Sequence, residues 1–89
     1  MIKTRTIISN KLGLHARASA KLTKLAGSFP CDVFMRRGER RINAKSIMGV
    51  MMLAAGQGAE VEIETSGERE QEAMQALLAL MVDKFGEGQ

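Results

Sequence analysis

The chain has no tryptophan, no tyrosine, one cysteine, one proline and one histidine among its 89 residues, and each scarcity excludes something. Cys31 alone can neither close an internal disulfide nor supply a multi-thiolate metal site, since both need several sulfurs from one chain. A reducing cytoplasm is the expected setting, and no metal or cofactor is expected. Three phenylalanines, Phe29, Phe34 and Phe85, are the only aromatics, too few for a sheet that reads single-stranded nucleic acid by stacking its bases. The longest nearly apolar run, Ile47 to Ala55, spans nine residues, whereas a membrane-spanning helix needs about 20. Lys3, Arg5 and Lys11 near the start leave no apolar stretch of the secretory kind. Neither membrane insertion nor classical export is expected. There is also no Walker-type loop and no set of clustered carboxylates for Mg²⁺, so nothing in the sequence would bind ATP for transfer.

What is present is a composition of 45% hydrophobic and 26% charged residues, which suits a packed aliphatic core. A chain this short buries only about 60–65% of the surface its unfolded form exposes, so residues 1–89 are expected to form one domain around one core. The net charge of +3 hides a division. Residues 1–45 hold eleven Lys/Arg against Asp32 and Glu39, a net of +9, and residues 46–89 hold Arg69 and Lys84 against eight acids, a net of −6. Two readings follow: a face that attracts anions or acidic partners, or charges that interleave once the halves pack together.

Periodicity divides the chain into seven elements. Ile2 to Ile8 is rich in β-branched residues and reads as a strand, broken by Ser9–Gly13. Ala18, Leu22, Leu25 and Ala26 recur at helical spacing from Ala16 to Ala26, with Gly27 placed to end that helix in the left-handed conformation. Asp32–Arg36 and Arg40–Asn43 flank a turn near Gly38 and read as a hairpin carrying Arg36, Arg37, Arg40 and Arg41. Arginines there protect an exposed strand edge. Ser46 precedes the apolar run Ile47–Ala55 and Gly56 follows it, the cap and stop of a second helix. In Glu60–Thr65 the alternation puts Val61, Ile63 and Thr65 on one face and the glutamates on the other. Ala73, Met74, Leu77, Leu78, Met81 and Phe85 then form one helical stripe, begun by Glu68, Glu70 and Glu72 and ended by Lys84. The order βαββαβα suits an α+β fold in which one four-stranded antiparallel sheet carries three helices on one face.

The residue that carries chemistry is His15. Gly13-Leu14-His15-Ala16-Arg17 puts the imidazole where a loop enters a helix, and first-turn N–H groups have no intrahelical acceptors. Those donors and the positive end of the helix dipole make an anion site. Such a field keeps the ring neutral and nucleophilic and then holds a phosphate bound to it. Arg17, two residues on, is placed to add charge-assisted hydrogen bonds to phosphate oxygens.

Gly13-Leu14-His15-Ala16-Arg17, together with Lys45-Ser46-Ile47-Met48-Gly49-Val50-Met51, resembles the HPr family of histidine-containing phosphocarriers of the phosphoenolpyruvate-dependent phosphotransferase system, and the likeness covers the whole chain. The resemblance implies an open-faced β-sandwich, phosphorylation of Nδ1 of His15 by enzyme I, and delivery of the phosphoryl group to IIA-type proteins. It implies a carrier that borrows its partners' catalytic groups rather than an enzyme, acting as a cytoplasmic monomer with no nucleic-acid partner. Ala18 departs from the pattern, standing where most of the family has proline, which frees the backbone and restores an N–H in the first turn.

Ser46 has an ordinary role as a helix cap, in which its hydroxyl binds a free backbone N–H and contributes roughly 1 kcal/mol. The resemblance adds regulatory phosphorylation of Ser46 by HPr kinase/phosphorylase. It also makes the first two helices the docking surface, where Ile47, Met48 and Met51 are expected to meet partners and Lys21 and Lys24 to supply charge beside Arg17. Flexible methionines suit a surface that meets several proteins.

Overall fold

The alternating segments become strands and the periodic ones helices in the computed structural model, which describes residues 1–88. In chain order these are β1 (Ile2–Ile7), α1 (Ala16–Gly27), β2 (Asp32–Arg37), β3 (Arg40–Asn43), α2 (Ile47–Met52), β4 (Glu60–Ser66) and α3 (Glu70–Val82), followed by a 3-10 turn at Lys84–Gly86. The strands form one sheet in the order β1-β4-β2-β3, antiparallel at every pairing. The helices cover one face, giving the open-faced β-sandwich.

Strand β4 lies inside the sheet, so its alternation decides the two faces. Val61, Ile63 and Thr65 are at most 1% exposed and point to the helices with Val33 and Met35 of β2. Leu22 of α1, Val50 of α2 and Leu77 and Met81 of α3 complete this layer. Each such aliphatic side chain contributes about 1.5–3 kcal/mol by leaving water.

The outer face is where the divided charge meets itself. Basic β1 and acidic β4 are neighbours, with Lys3 opposite Glu64 and Arg5 opposite Glu62. Arg41 of β3 reaches across to Glu64 at 2.8 Å while its guanidinium lies 3.8 Å over the Phe34 ring. Lys3 approaches the same carboxylate at 3.9 Å, and Glu64 is 7% exposed. Interleaving therefore holds on the sheet. On the helical face Arg17 and Lys24 remain exposed and have no ion pair among the described residues.

Three helix ends differ from the sequence expectation. Gly27 lies inside α1, and the stop is Ser28, whose hydroxyl and N–H both donate to the Leu25 carbonyl, at 2.6 and 3.1 Å. Helix α2 ends at Met52 rather than at Gly56, with Ala54 in the left-handed region at φ 50°. The hairpin arginines explain this end: Arg37 Nη1 donates to the carbonyls of Leu53 and Ala54, each at 3.0 Å, and Arg40 donates to that of Met52. Those carbonyls are thereby satisfied without another helical turn. The last stripe breaks after Val82. Phe85, at φ 56° and 1% exposed, enters the core from the 3-10 turn instead of from α3.

The start of α3 carries a pH-dependent tie. Glu70 accepts the Gly67 N–H at 2.9 Å and pairs with the Met1 ammonium at 3.0 Å. The Gly67 N–H first, and then the terminal ammonium, hold its carboxyl below the usual carboxylate range. A carboxyl that is more acidic when folded stabilises above its unfolded pKa, and that contribution is lost as pH falls through the folded one. Glu70→Gln is accordingly expected to lower the melting temperature at neutral pH and to converge with the parent in acid. Thermal melts across that range check it, and two parallel curves would contradict it.

Candidate functional site

Gly13 is what lets the loop before α1 pack closely. Its φ is +66°, and a Cβ built there would stand 2.5 Å from the Ala55 carbonyl oxygen, so only glycine fits both the conformation and the space. Beside it, the Leu14 N–H donates to that same oxygen at 2.9 Å, joining the exit of α2 to the entry of α1. At the other ends of these helices the Lys45 ammonium donates to the Phe29 carbonyl at 2.9 Å. The two helices thus lie side by side and antiparallel, with His15 at one end of the pair and Ser46 at the other.

His15 is the N-cap of α1. Its carbonyl accepts the Ser19 N–H at 2.8 Å, the first bond of the helix, and its Nδ1 accepts the Arg17 N–H at 3.3 Å. Its Nε2 meets the Glu87 carboxylate through Oε2. The other carboxylate oxygen, Oε1, accepts from the Asn10 amide at 3.0 Å, and that amide also donates to the Gly13 carbonyl at 2.8 Å. Asn10 is fully buried, and its Oδ1 has no partner among the described residues. The Asn10 amide, and then the His15 ring, hold the Glu87 carboxyl below the usual carboxylate range against partial desolvation.

The partners of the ring fix its roles. A backbone N–H only donates, and an ionised carboxylate only accepts. The proton therefore belongs on Nε2, facing Glu87, and the lone pair on Nδ1. That lone pair lies over the first turn of α1, whose Ala18 N–H forms no backbone bond among the described residues. Arg17 is exposed, and its guanidinium makes no hydrogen bond among the described residues, leaving it free for an anion at Nδ1. The side chain of His15 is 28% exposed, on a hollow lined also by Lys11, Leu12 and Arg17. A second hollow, by Arg37, Arg40 and Arg41, offers less chemistry, because two of its arginines are engaged in closing α2.

The expected docking residues share the surface made by α1 and α2. Ile47 and Met51 are 40% exposed and Met48 68%, while Met52, not among those expected, is 57% exposed. The helix that reads as apolar all round thus buries Val50 alone and turns most of its apolar side chains outward. Lys24 is exposed. Lys21 is the exception, since its ammonium donates to the Phe85 carbonyl at 2.6 Å and ties the C-terminal tail to α1. Ser46 caps α2 as expected, its Oγ accepting the Gly49 N–H at 3.1 Å. Six residues of α2, about 9 Å at 1.5 Å per residue, separate it from the end of the helix pair that holds His15.

Sequence reasoning missed Glu87 and Asn10. Glu87 lies 72 positions from His15, outside any periodic segment, and a lone glutamate between glycines carries no sign of its partner.

The family model for the PTS HPr component phosphorylation site matches residues 2–83. The chain belongs to the HPr family. HPr proteins are phosphocarriers of the phosphotransferase system, carriers rather than catalysts. Phosphocarrier protein HPr of Cupriavidus necator is 64% identical over 89 residues, with all of both chains covered. The crystal structure of HPr-C-His from Thermoanaerobacter tengcongensis has a TM-score of 0.95 at 40% identity, covering 98% of each chain. An HPr dimer from the same organism has a TM-score of 0.79 at 40% identity, with 98% of this chain and 100% of that one covered. Among the described residues no helix is long and apolar enough to cross a membrane.

Proposed function

We propose that the chain accepts a phosphoryl group from enzyme I on Nδ1 of His15, with phosphoenolpyruvate as the ultimate source, and passes it to IIA-type proteins in the cytoplasm. The observation that carries this reading is the ring's pair of partners, which keeps the proton off Nδ1, now bonded by the Arg17 N–H, beside the unpaired Ala18 N–H and the free Arg17 guanidinium. Arg17 balances the phosphate charge. Ile47, Met48, Met51 and Lys24 take part in docking, and Lys21 contributes through the tail it holds. The working form under this proposal is the monomer. The test is intact mass after incubation with phosphoenolpyruvate and enzyme I, followed by addition of a IIA protein: one phosphoryl group should appear and then leave. No adduct on folded protein would defeat the reading.

Ser46 serves as the regulatory site under this proposal. A phosphate on its hydroxyl would sit at the start of α2, next to Ile47 and Met48, and would place negative charge on a surface otherwise basic. Ser46→Asp is expected to keep the cap and the fold while slowing uptake from an acidic donor roughly tenfold, a loss of about 1.4 kcal/mol of docking energy. Stopped-flow transfer at two salt concentrations checks it. Rates equal to those of the parent would remove Ser46 from the docking surface.

A further inference from the structure

We propose that Glu87 is the positioning residue of the transfer site, resting on the carrier reading above: its carboxylate keeps the His15 proton on Nε2, so that Nδ1 presents its lone pair to phosphorus. Glu87 lies beyond the residues 2–83 that the family model matches, in a tail with its own anchors. Phe85 is buried, Lys21 holds the Phe85 carbonyl, and Gly86 turns the chain at φ +75°. The two carboxylate oxygens divide the work. Oε1 is held by the buried Asn10 amide, which aims Oε2 at the ring. Asn10 in turn holds the Gly13 carbonyl, so the carboxylate is fixed to the same loop that places the imidazole.

The transfer step follows from this arrangement. The Arg17 N–H gives up its bond to Nδ1, the freed lone pair attacks phosphorus, and the bond from phosphorus to the donor's leaving atom breaks with its electron pair going to that atom. The proton stays on Nε2. The phosphorylated ring is then an imidazolium, whose charge the Glu87 carboxylate balances. Delivery reverses the sequence: the N–P electron pair returns to Nδ1, and the ring is again neutral with its proton still facing Glu87. A carboxylate that orients a histidine in this manner acts through the ring and never touches phosphorus.

Glu87→Gln separates this role from simple anchoring. The glutamine oxygen can still accept from Asn10 and keep the tail in place, but its NH₂ group then faces Nε2, and two donors cannot share that contact. The ring is expected to move its proton toward Nδ1, and both uptake and delivery of the phosphoryl group to slow by about tenfold or more, the scale of an orienting partner's loss. Glu87→Asp, which keeps the charge, should recover part of the rate. The readouts are the ¹⁵N and ¹H spectrum of the ring nitrogens and single-turnover transfer, with circular dichroism showing that each variant is folded. Transfer by Glu87→Gln within twofold of the parent would overturn the proposal, as would a slowed variant whose ring keeps its proton on Nε2. If the parent takes up no phosphoryl group, the carrier reading falls by itself, and the ring spectrum still decides whether Glu87 sets the tautomer.

Discussion

His15→Ala is expected to abolish phosphoryl uptake completely while leaving the fold in place. It removes the chain's one imidazole, so no neighbouring ring can substitute. The structural cost is small because the ring is a half-buried cap with two ties, a long bond 3.3 Å from the Arg17 nitrogen and the contact with Glu87, whose carboxylate keeps the Asn10 amide as a partner when the ring is gone. Losing such a cap costs ~1 kcal/mol. Intact mass with phosphoenolpyruvate and enzyme I should therefore show no adduct on a variant whose urea unfolding midpoint hardly moves. The parent's adduct should be acid-labile, as a phosphorus–nitrogen bond is and a serine phosphate ester is not. An acid-stable adduct on both proteins would transfer the chemistry to a hydroxyl and take His15 out of it.

The contrast between His15 and Glu87 indicates what a sequence can disclose about such a site. His15, Arg17 and the donors of α1 are consecutive in the chain, so local rules of helix entry bring them together before any tertiary contact is known. The same holds for Ser46, whose cap bond to Gly49 spans three residues. Strand β4 was legible because its alternation matches its two faces, one packed on helices and the other meeting water and charge. Helix ends were less legible, because tertiary partners set them: Arg37 and Arg40 close α2 from a different element, and Ser28 does for α1 what Gly27 was placed to do. The tail was illegible for a stronger reason. Phe85 falls on the apolar stripe of α3 by spacing, and nothing local announces that the chain reverses at Lys84 and Phe85, with φ of 54° and 56°. That reversal places Glu87 beside His15, so the least readable turn delivers the group that orients the most readable residue. The divided charge was legible in amount but not in use, because its meaning depends on β1 and β4 being neighbours in the sheet.

Phe85→Ala is expected to be the most destabilising single change in the tail and to damage the site from a distance. The ring is 1% exposed among the core side chains, and removing a buried phenylalanine costs about 3–5 kcal/mol through lost burial and the cavity left behind. That is a large part of the ~5–15 kcal/mol that holds a small domain folded. Urea unfolding should show a lowered midpoint with little change in slope. The second effect follows from position. With its anchor gone, the tail no longer aims the Glu87 carboxylate at Nε2, and transfer by the molecules that remain folded should fall to the rate of Glu87→Ala. The double variant should then transfer no more slowly than Phe85→Ala alone, since the two changes break one connection. Phe85→Leu, which refills most of the volume, should recover both stability and rate. Additive losses in the double variant would mean that Phe85 supports the core and Glu87 the ring independently, and that the tail is not a single lever on His15.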